Sequence, residues 1–432
     1  MFFYSFIGVI LIIYLFIVFK RTKKYGYDPA KDHLYTLQPP FLQNIVIKQD
    51  FMTLPLEHKD FDTLFLKISL AFHPLSYFFK PSIEIEGSKH FFEYGAQGDR
   101  YLNISHTKNE HLRLLCRNLK LKTGESTLYG YKNEIDLSKK ILILAPHADD
   151  SEIAAFGLYK SAKDVTIVTT TIGEHGVCNY CDLYENKTQA ALKKAELRTF
   201  DALSVPVLGG VVPENSLTLG YYGGSLKWMS EHPKEDASSF IEGFGDMNSF
   251  RKVSHSYLDL SVQVRPTYDS FLHDLELILT QVQPEYIITP HPAIDSHPDH
   301  KYTTQALIDA LKKTELPCKL LAYTNHLTLS ETYPVGPMHT SVNLPPNFDE
   351  FYFDGVYSFE LDEELQQDKL FALEAIHDLR DSLLSVSVKR AYKHLKRLIK
   401  RTVTGKDKSY FKRAVRANEL FFVIESKNIE RL

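Results

Sequence analysis

Residues 141–152 read ILILAPHADDSE, a stretch in which a continuous apolar run gives way abruptly to histidine and acidic side chains. An unbroken apolar run of this kind is typical of a strand that is buried on both faces of a parallel sheet. A helical pattern from Glu152 to Lys160 follows at once. The polar residues therefore occupy a loop at the carboxyl end of a predicted strand, where open α/β sheets bind their ligands.

The alternation of strand and helix continues after this stretch. The predicted strands are VTIVTTT, VPVLGG, EYIITP and CKLLAYT, and the predicted helices cover 188–203, 272–281 and 302–312. Strands that alternate with helices indicate an α/β fold, here a Rossmann-like, doubly wound and mostly parallel sheet. We assign residues 139–432 to this domain, with NELFFVIES as a possible terminal strand.

The region before it, residues 38–135, follows a different pattern. Short alternating stretches such as PSIEIEG, HFFEYG and RYLNIS are separated by turn residues. This spacing predicts a small antiparallel β-sandwich-like accessory domain. A sugar-binding module and a plain packing domain both fit the pattern.

Residues 1–24 predict a transmembrane anchor and its basic flank. The first 19 residues carry no charged side chain, and at about 1.5 Å per residue they are just long enough to cross a hydrocarbon core of about 30 Å. Four basic residues follow: Lys20, Arg21, Lys23 and Lys24. The positive-inside rule then predicts a single pass with the rest of the chain facing the cytoplasm. A cleaved signal peptide fits less well, because a charged segment before the apolar run and a small-residue cleavage site are both lacking.

Composition and charge limit the possible partners. The net charge of −4 over 432 residues gives no general reason to expect a nucleic-acid partner. The segment 389–413 is locally basic, with eleven Lys or Arg and one acidic residue. It is either a solvated face or a second contact with anionic lipid or substrate phosphate. His175, Cys178 and Cys181 are spaced like ligands of a soft metal, and a loop with two free thiols is the other interpretation.

Two polar clusters carry the candidate chemistry. His147 and Asp150 lie in the loop after ILILAP, and HPAIDSHPDH at 291–300 follows the predicted strand EYIITP. His297 and His300 are spaced i, i+3, so they lie side by side on a first helical turn. A histidine or aspartate at a helix start is usually a cap. Two such clusters at the same sheet edge instead predict a catalytic metal site with three protein ligands.

The motifs APHADD at 145–150 and HPDH at 297–300 resemble those of the PIG-L/LmbE-type family of zinc-dependent N-deacetylases, over about residues 139–334. The resemblance implies roles for the following residues: His147, Asp150 and His300 as zinc ligands, Asp149 as general base, and His297 as oxyanion stabiliser or as acid for the leaving amine. The stretch TTTIGEHG resembles the family's T-x-G-E turn and implies substrate contacts from Gly173 and Glu174, with Arg198 as a further candidate. Ala148 stands where the family usually has proline, which removes a fixed φ and no functional group.

The expected function follows from this resemblance. It is hydrolysis of the N-acetyl group of an amino sugar, with Zn²⁺ or another divalent transition metal as cofactor. The substrate is expected to be a glycolipid, a nucleotide sugar or a surface-polysaccharide precursor. The expected location is the bacterial inner (cytoplasmic) membrane, with the catalytic domain in the cytoplasm. An amidase for a non-sugar amide and a non-catalytic glycan-binding protein are the alternatives.

Overall fold

The computed structural model describes residues 2–176, 180, 183–327, 329–348, 350–379, 388, 391–392, 395–396, 398–399 and 410–432, without the side chains of 2–7, 22, 410 and 411. Its contacts divide the chain into two compact units. The β-rich unit comprises 1–134, 326–360 and 416–421, and the α/β unit comprises 135–325, 361–415 and 422–432. The domain boundaries at 1–24, 38–135 and 139–432 stay predictions.

Strands and helices are numbered in chain order. The strands are β1 Phe41–Ile47, β2 Phe51–Thr53, β3 Thr63–Ala71, β4 Ser82–Ile85, β5 Ser88–Phe91, β6 Gly98–Asn103, β7 His111–Arg113, β8 Leu115–Arg117, β9 Lys120–Leu121, β10 Gly124–Tyr131, β11 Lys140–Ala145, β12 Asp164–Thr171, β13 Ser216–Tyr221, β14 Tyr286–Pro290, β15 Lys319–Tyr323, β16 Gly355–Glu360 and β17 Asn418–Glu425. The helices are α1 Phe2–Thr22, α2 Asp150–Ser161, α3 Lys187–Ser204, α4 Leu226–Glu231, α5 Asn248–Arg251, α6 Tyr268–Val282, α7 Pro298–Thr314, α8 Glu363–Ala375 and α9 Tyr410–Ala414.

The β-rich unit is built from antiparallel strands, as the alternating pattern predicts. Its main sheet has the order β1-β10-β3-β6, with β9 also paired to β3. Two smaller sheets have the orders β5-β4-β8 and β2-β7. Apolar side chains from all three sheets pack into one core, which includes Ile47, Met52, Leu66 and Ile83. This shared core is what two facing layers of strands require.

The N-terminal segment forms α1, whose described side chains begin at Gly8. Among the residues that the structure describes, no helix is both long enough and apolar enough to cross a bilayer, so the predicted spanning segment is not supported.

The α/β unit contains the predicted parallel sheet, in the order β13-β12-β11-β14-β15-β17. The first five of these strands are parallel, and β17 pairs antiparallel with β15. From β11, the chain first builds one half of the sheet through β12 and β13 and then returns to build the other half from β14. The switch point between β11 and β14 is where ligands bind in such folds.

One predicted strand is wrong. VPVLGG forms a 3-10 turn, Val205–Gly209, that continues from the end of α3. Pro206 has no N–H to donate to a sheet ladder, and Gly210 closes the turn with φ 87°. The third parallel strand is instead β13, in which every residue is buried.

Two further predictions concern parts of the chain that the structure leaves out. Cys178 and Cys181, the candidate thiol ligands, lie outside the described residues. Most of the basic segment 389–413 lies outside them as well. Both interpretations of each feature therefore stay open.

Candidate metal centre

Three atoms from the two predicted clusters lie next to one another in the α/β unit. His147 Nδ1 is 3.1 Å from Asp150 Oδ2. His300 Nε2 is 3.0 Å from the same carboxylate oxygen. The two ring nitrogens are 3.3 Å apart. The structure thus brings together the three residues that the sequence suggests as metal ligands.

The sheet explains this meeting. β11 and β14 are parallel neighbours, with Ile143 opposite Ile288, so their carboxyl ends reach the same edge. Each strand is followed by a short loop and then by a helix, α2 after β11 and α7 after β14. His147 and Asp150 come from the first loop and helix start, and His300 comes from the first turn of α7.

The three atoms fit a divalent metal. In a tetrahedral zinc site with ligand distances of about 2.0–2.1 Å, two ligand atoms are separated by roughly 3.3 Å. The observed separations, 3.0–3.3 Å, are close to that value. Two imidazole nitrogens and one carboxylate oxygen are also a donor set that zinc prefers. His297 forms a wider candidate group with His147 and His300, whose donor atoms lie within 4.8 Å of one another.

Two buried carboxylates hold the outer nitrogens of these imidazoles. Asp295 Oδ2 is 3.0 Å from His300 Nδ1, and Asp299 Oδ2 is 3.2 Å from His147 Nε2. Such carboxylate partners fix the ring orientation of a ligating histidine and increase its basicity. No role is predicted for either aspartate from the sequence alone. Their position inside HPAIDSHPDH was the available signal, because each ligating imidazole needs a partner for its second nitrogen.

Asp150 is held ionised. Its Oδ1 accepts a hydrogen bond from the Asn325 side chain at 2.8 Å, and its Oδ2 accepts one from the His147 backbone N–H at 2.8 Å. Burial by itself raises the pKa of Asp150, but His300 and His147 outweigh it and hold that pKa well below its usual range. Burial by itself lowers the pKa of His300, but Asp150 and Asp295 outweigh this effect and hold that pKa well above its usual range. The cluster therefore favours bound positive charge.

His297 combines a structural and a chemical feature. It is the N-cap of α7, and its Nδ1 accepts a hydrogen bond from the Asp299 backbone N–H at 3.2 Å. In the neutral ring this assigns the proton to Nε2, which is then a donor. Its ring centroid lies 4.7 Å from that of His147. The capping interpretation is thus correct for His297, and the donor nitrogen of its neutral ring is Nε2.

Asp149 precedes α2 without capping it through its side chain. Its Oδ1 instead accepts a hydrogen bond from Arg198 at 3.2 Å. Arg198 also donates to Asp378, and both of these ion pairs are largely buried. Arg198 thus contacts the predicted general base directly, a relationship that no sequence pattern indicates. Its predicted contact with substrate stays a prediction.

Gly173 and Glu174 follow β12 at the same edge of the sheet. Gly173 has φ +60°, and a side chain at this position would meet Arg198. Glu174 is buried, with Oε2 accepting from the Gly223 N–H at 2.8 Å and Oε1 accepting from the Ser239 hydroxyl at 2.7 Å. Burial raises its pKa. Glu174 therefore links its own loop to the loops of Gly223 and Ser239 by hydrogen bonds. Its predicted role in substrate binding stays a prediction.

Comparisons with known proteins bear on the α/β unit. Residues 142–311 match the family model described as "PIG-L: GlcNAc-PI de-N-acetylase". A search of the curated proteins finds no match.

Three solved structures are among those similar to this chain. N,N'-diacetylchitobiose deacetylase from Pyrococcus horikoshii is 18% identical, with 68% of this chain and 89% of that chain covered and a TM-score of 0.34. The A40926 pseudoaglycone deacetylase Dbv21 is 17% identical, with 67% and 99% covered and a TM-score of 0.35. The 4-carboxy-2-hydroxymuconate hydratase GalB from Pseudomonas putida KT2440 is 13% identical, with 66% and 95% covered and a TM-score of 0.33.

The matched segment, 142–311, runs from within β11 into α7 and so contains His147, Asp150 and His300. This segment of the chain therefore matches the PIG-L family model.

Proposed function

We propose that this chain hydrolyses the N-acetyl group of an amino sugar in a metal-dependent reaction that yields acetate and a free amine. The observation that carries the proposal is the triangle of His147 Nδ1, Asp150 Oδ2 and His300 Nε2, with sides of 3.0–3.3 Å. The family description, a de-N-acetylase, supports the same reaction.

His147, Asp150 and His300 would hold the metal, which we propose to be Zn²⁺. When bound, such a metal lowers the pKa of water and polarises a carbonyl oxygen. Asp295 and Asp299 orient the two ligating imidazoles through the ring nitrogens that face away from the donor triangle.

Asp149 is the proposed general base. It takes a proton from the attacking water as the water oxygen bonds to the acetyl carbon. Its hydrogen bond to Arg198 fixes the direction of the carboxylate.

His297 is the proposed partner of the carbonyl oxygen and of the leaving nitrogen. Its Nε2–H can donate to the developing oxyanion, because Nδ1 is engaged by the Asp299 backbone N–H. The C–N bond then breaks as the Nε2 proton of His297 moves to the nitrogen, which leaves as an amine, and the proton that Asp149 took from the water restores the neutral ring.

The substrate class is a narrower proposal. A glycolipid, a nucleotide sugar or a surface-polysaccharide precursor would each present the same N-acetyl group. Two of the similar solved structures are described as an N,N'-diacetylchitobiose deacetylase and an A40926 pseudoaglycone deacetylase, and these descriptions concern those proteins alone.

The location is also a proposal. We propose that the chain resides at the bacterial inner membrane, with the α/β unit in the cytoplasm. The support is a set of large apolar side chains exposed on α1: Val9, Ile10, Leu11, Ile12, Ile13, Leu15, Phe16 and Phe19. Separation of cell membranes from the soluble fraction, followed by protease treatment of intact spheroplasts, tests it. Recovery of the protein in the soluble fraction would contradict it.

The function is tested by acetate release from a panel of N-acetylated glycolipids, nucleotide sugars and non-sugar amides, with zinc-loaded protein. We expect release from at least one N-acetylated sugar and a loss of about 10²–10⁴-fold in the Asp149→Asn variant. Release from the non-sugar amides alone indicates an amidase. Binding of a glycan without release from any substrate indicates a non-catalytic protein.

A further inference from the structure

A cavity of about 550 Å³ lies in the β-rich unit, between α1 and the turn Pro74–Tyr77 with the residue after it. Two ring contacts connect α1 to this turn. Tyr14 on α1 stacks on Phe78 with ring centroids 5.7 Å apart, and it packs edge-to-face with Tyr77 at 6.4 Å. Phe16, Tyr77 and Phe78 line the apolar part. We call this space the α1 pocket. Its volume is that of an ordinary small-molecule site.

The other lining side chains are cationic. Lys20, Arg21 and Lys24 contribute to the wall, and no acidic side chain of the described residues lines it. Lys24 is paired with Glu331, which offsets its charge. The Arg21 guanidinium lies over the Tyr94 ring, 3.7 Å from its centroid. Stacking of this kind fixes the plane of the guanidinium and leaves N–H groups at its edge for a phosphate oxygen. Lys20 is exposed beside it.

The surroundings of the α1 pocket are apolar on both sides. α1 exposes Leu15, Phe16 and Phe19 on one side. On the other side the segment 72–79 exposes Phe72, Leu75, Phe78 and Phe79, the last to 60%. Exposed apolar groups that are contiguous and rimmed by basic residues mark a binding surface, and this combination matches a bilayer interface.

We propose that the α1 pocket binds one anionic phospholipid of a bilayer surface. The apolar wall takes acyl-chain carbons, and Lys20 with Arg21 binds the headgroup phosphate. Charge complementarity selects this occupant, because an apolar wall alone would accept any chain and a basic rim alone would accept any anion. The proposal holds whether or not α1 crosses the membrane, and it does not depend on the deacetylase function.

The test uses the full chain in a neutral maltoside detergent. Dioctanoyl phosphatidylglycerol or dioctanoyl phosphatidylcholine is titrated in, and retained lipid is counted by native mass spectrometry. We expect the anionic lipid to be retained about five-fold more tightly, since one basic side chain near a lipid surface contributes about 1 kcal/mol. Equal retention of the two lipids overturns the proposal.

A matched pair of variants tests whether the lipid binds at the α1 pocket. Lys20→Gln and Lys23→Gln remove the same charge from neighbouring positions, and only Lys20 lines the α1 pocket. We expect Lys20→Gln to weaken phosphatidylglycerol binding about five-fold and Lys23→Gln to change it less than about two-fold. Equal losses mean a non-specific charge effect and contradict the proposed site. Acetate release by Lys20→Gln stays at the wild-type level, so this result and a failure of the proposed function can be told apart.

A second pair of variants tests the apolar wall of the α1 pocket. Phe78→Ser removes a lining ring, whereas Phe51→Ser removes an exposed ring elsewhere in the β-rich unit. We expect only Phe78→Ser to reduce retention of phosphatidylglycerol, with unchanged circular dichroism in both variants. Unchanged retention in Phe78→Ser contradicts the proposal.

Discussion

The Nδ1 atom of His147 lies 3.3 Å from the Nε2 atom of His300, although 153 positions separate the two residues in the chain. The outer nitrogens of both rings donate to the carboxylates of Asp295 and Asp299, so the two inner nitrogens, both beside the Asp150 carboxylate, need a shared proton or a shared cation. The same relationship makes the metal content of the protein a direct test of the site.

His300→Ala should remove most of the bound zinc. It deletes one corner of the donor triangle, and we expect a loss of affinity of more than about 100-fold. Zinc per chain, measured by atomic emission after dialysis, checks this. His255→Ala is the control, because His255 is an exposed histidine of the same unit. Equal zinc content in His300→Ala and the wild type would show that the triangle is not the metal site.

Asp295→Asn should weaken zinc binding without abolishing it. Asp295 contacts His300 from the side away from the donor triangle, at 3.0 Å, so the ligand atoms remain but one imidazole is less well oriented. We expect a 10–100-fold higher zinc dissociation constant, in the range typical of outer-shell carboxylates. Competition with a chelator of known affinity measures it. A variant that binds zinc as tightly as the wild type contradicts an orienting role for Asp295.

The sequence predicted the main features of the α/β unit for identifiable reasons. ILILAP is apolar throughout and EYIITP is apolar at most positions because both faces of β11 and β14 are buried. Parallel strands end at a common edge, so the polar stretches that follow them could be expected to meet. The apolar character of VPVLGG also predicts a strand, but Pro206 and the glycines after it favour the turn that the structure contains.

The residues that hold the site residues in place are harder to predict from the sequence. Asn325 holds Asp150 from the end of a different strand, and Asp378 reaches Arg198 from the region after α8. Neither residue lies near a motif, and no periodicity relates them to the clusters. Such contacts are set by tertiary packing, which local sequence patterns do not encode.

Arg198→Gln should lower kcat more than it raises KM. Arg198 donates to Asp149 Oδ1 at 3.2 Å, so its loss leaves the proposed base less well directed. We expect kcat to fall between about 10- and 100-fold, as for a misplaced catalytic group. Steady-state acetate release across substrate concentrations separates the two constants. A large rise in KM with unchanged kcat would instead favour the substrate contact that the sequence suggested.

Arg251→Met should destabilise the α/β unit. Arg251 and Asp274 form a buried ion pair at 2.6 Å, and Tyr221 donates to the same carboxylate at 2.8 Å. Removal of one partner leaves a buried charge unpaired, which costs about 3–5 kcal/mol of unfolding free energy. Urea unfolding followed by circular dichroism measures it.

Arg265→Met is the matched control for that variant. Arg265 pairs with Asp236 at 2.8 Å, but both side chains are more than half exposed. Because solvent screens such a pair, we expect a change below about 1 kcal/mol. Similar losses in the two variants would contradict the difference that burial makes.

His90 should make the β-rich unit sensitive to acid. Burial lowers the pKa of His90 to about 4, and its ring donates from Nδ1 to the Asn343 side-chain oxygen at 2.8 Å. In the unfolded chain the ordinary pKa is about 6.5, so between about pH 6.5 and 4 the unfolded state binds more protons. Stability from this group is therefore full above the unfolded value and is lost as the pH falls towards the folded value. From pH 6.5 to 5 the loss is about 2 kcal/mol. Calorimetric unfolding temperatures at pH 7 and 5 test it. We expect a smaller decrease in His90→Asn, which keeps a donor but does not titrate, and an equal decrease in both proteins would assign the acid sensitivity to other groups.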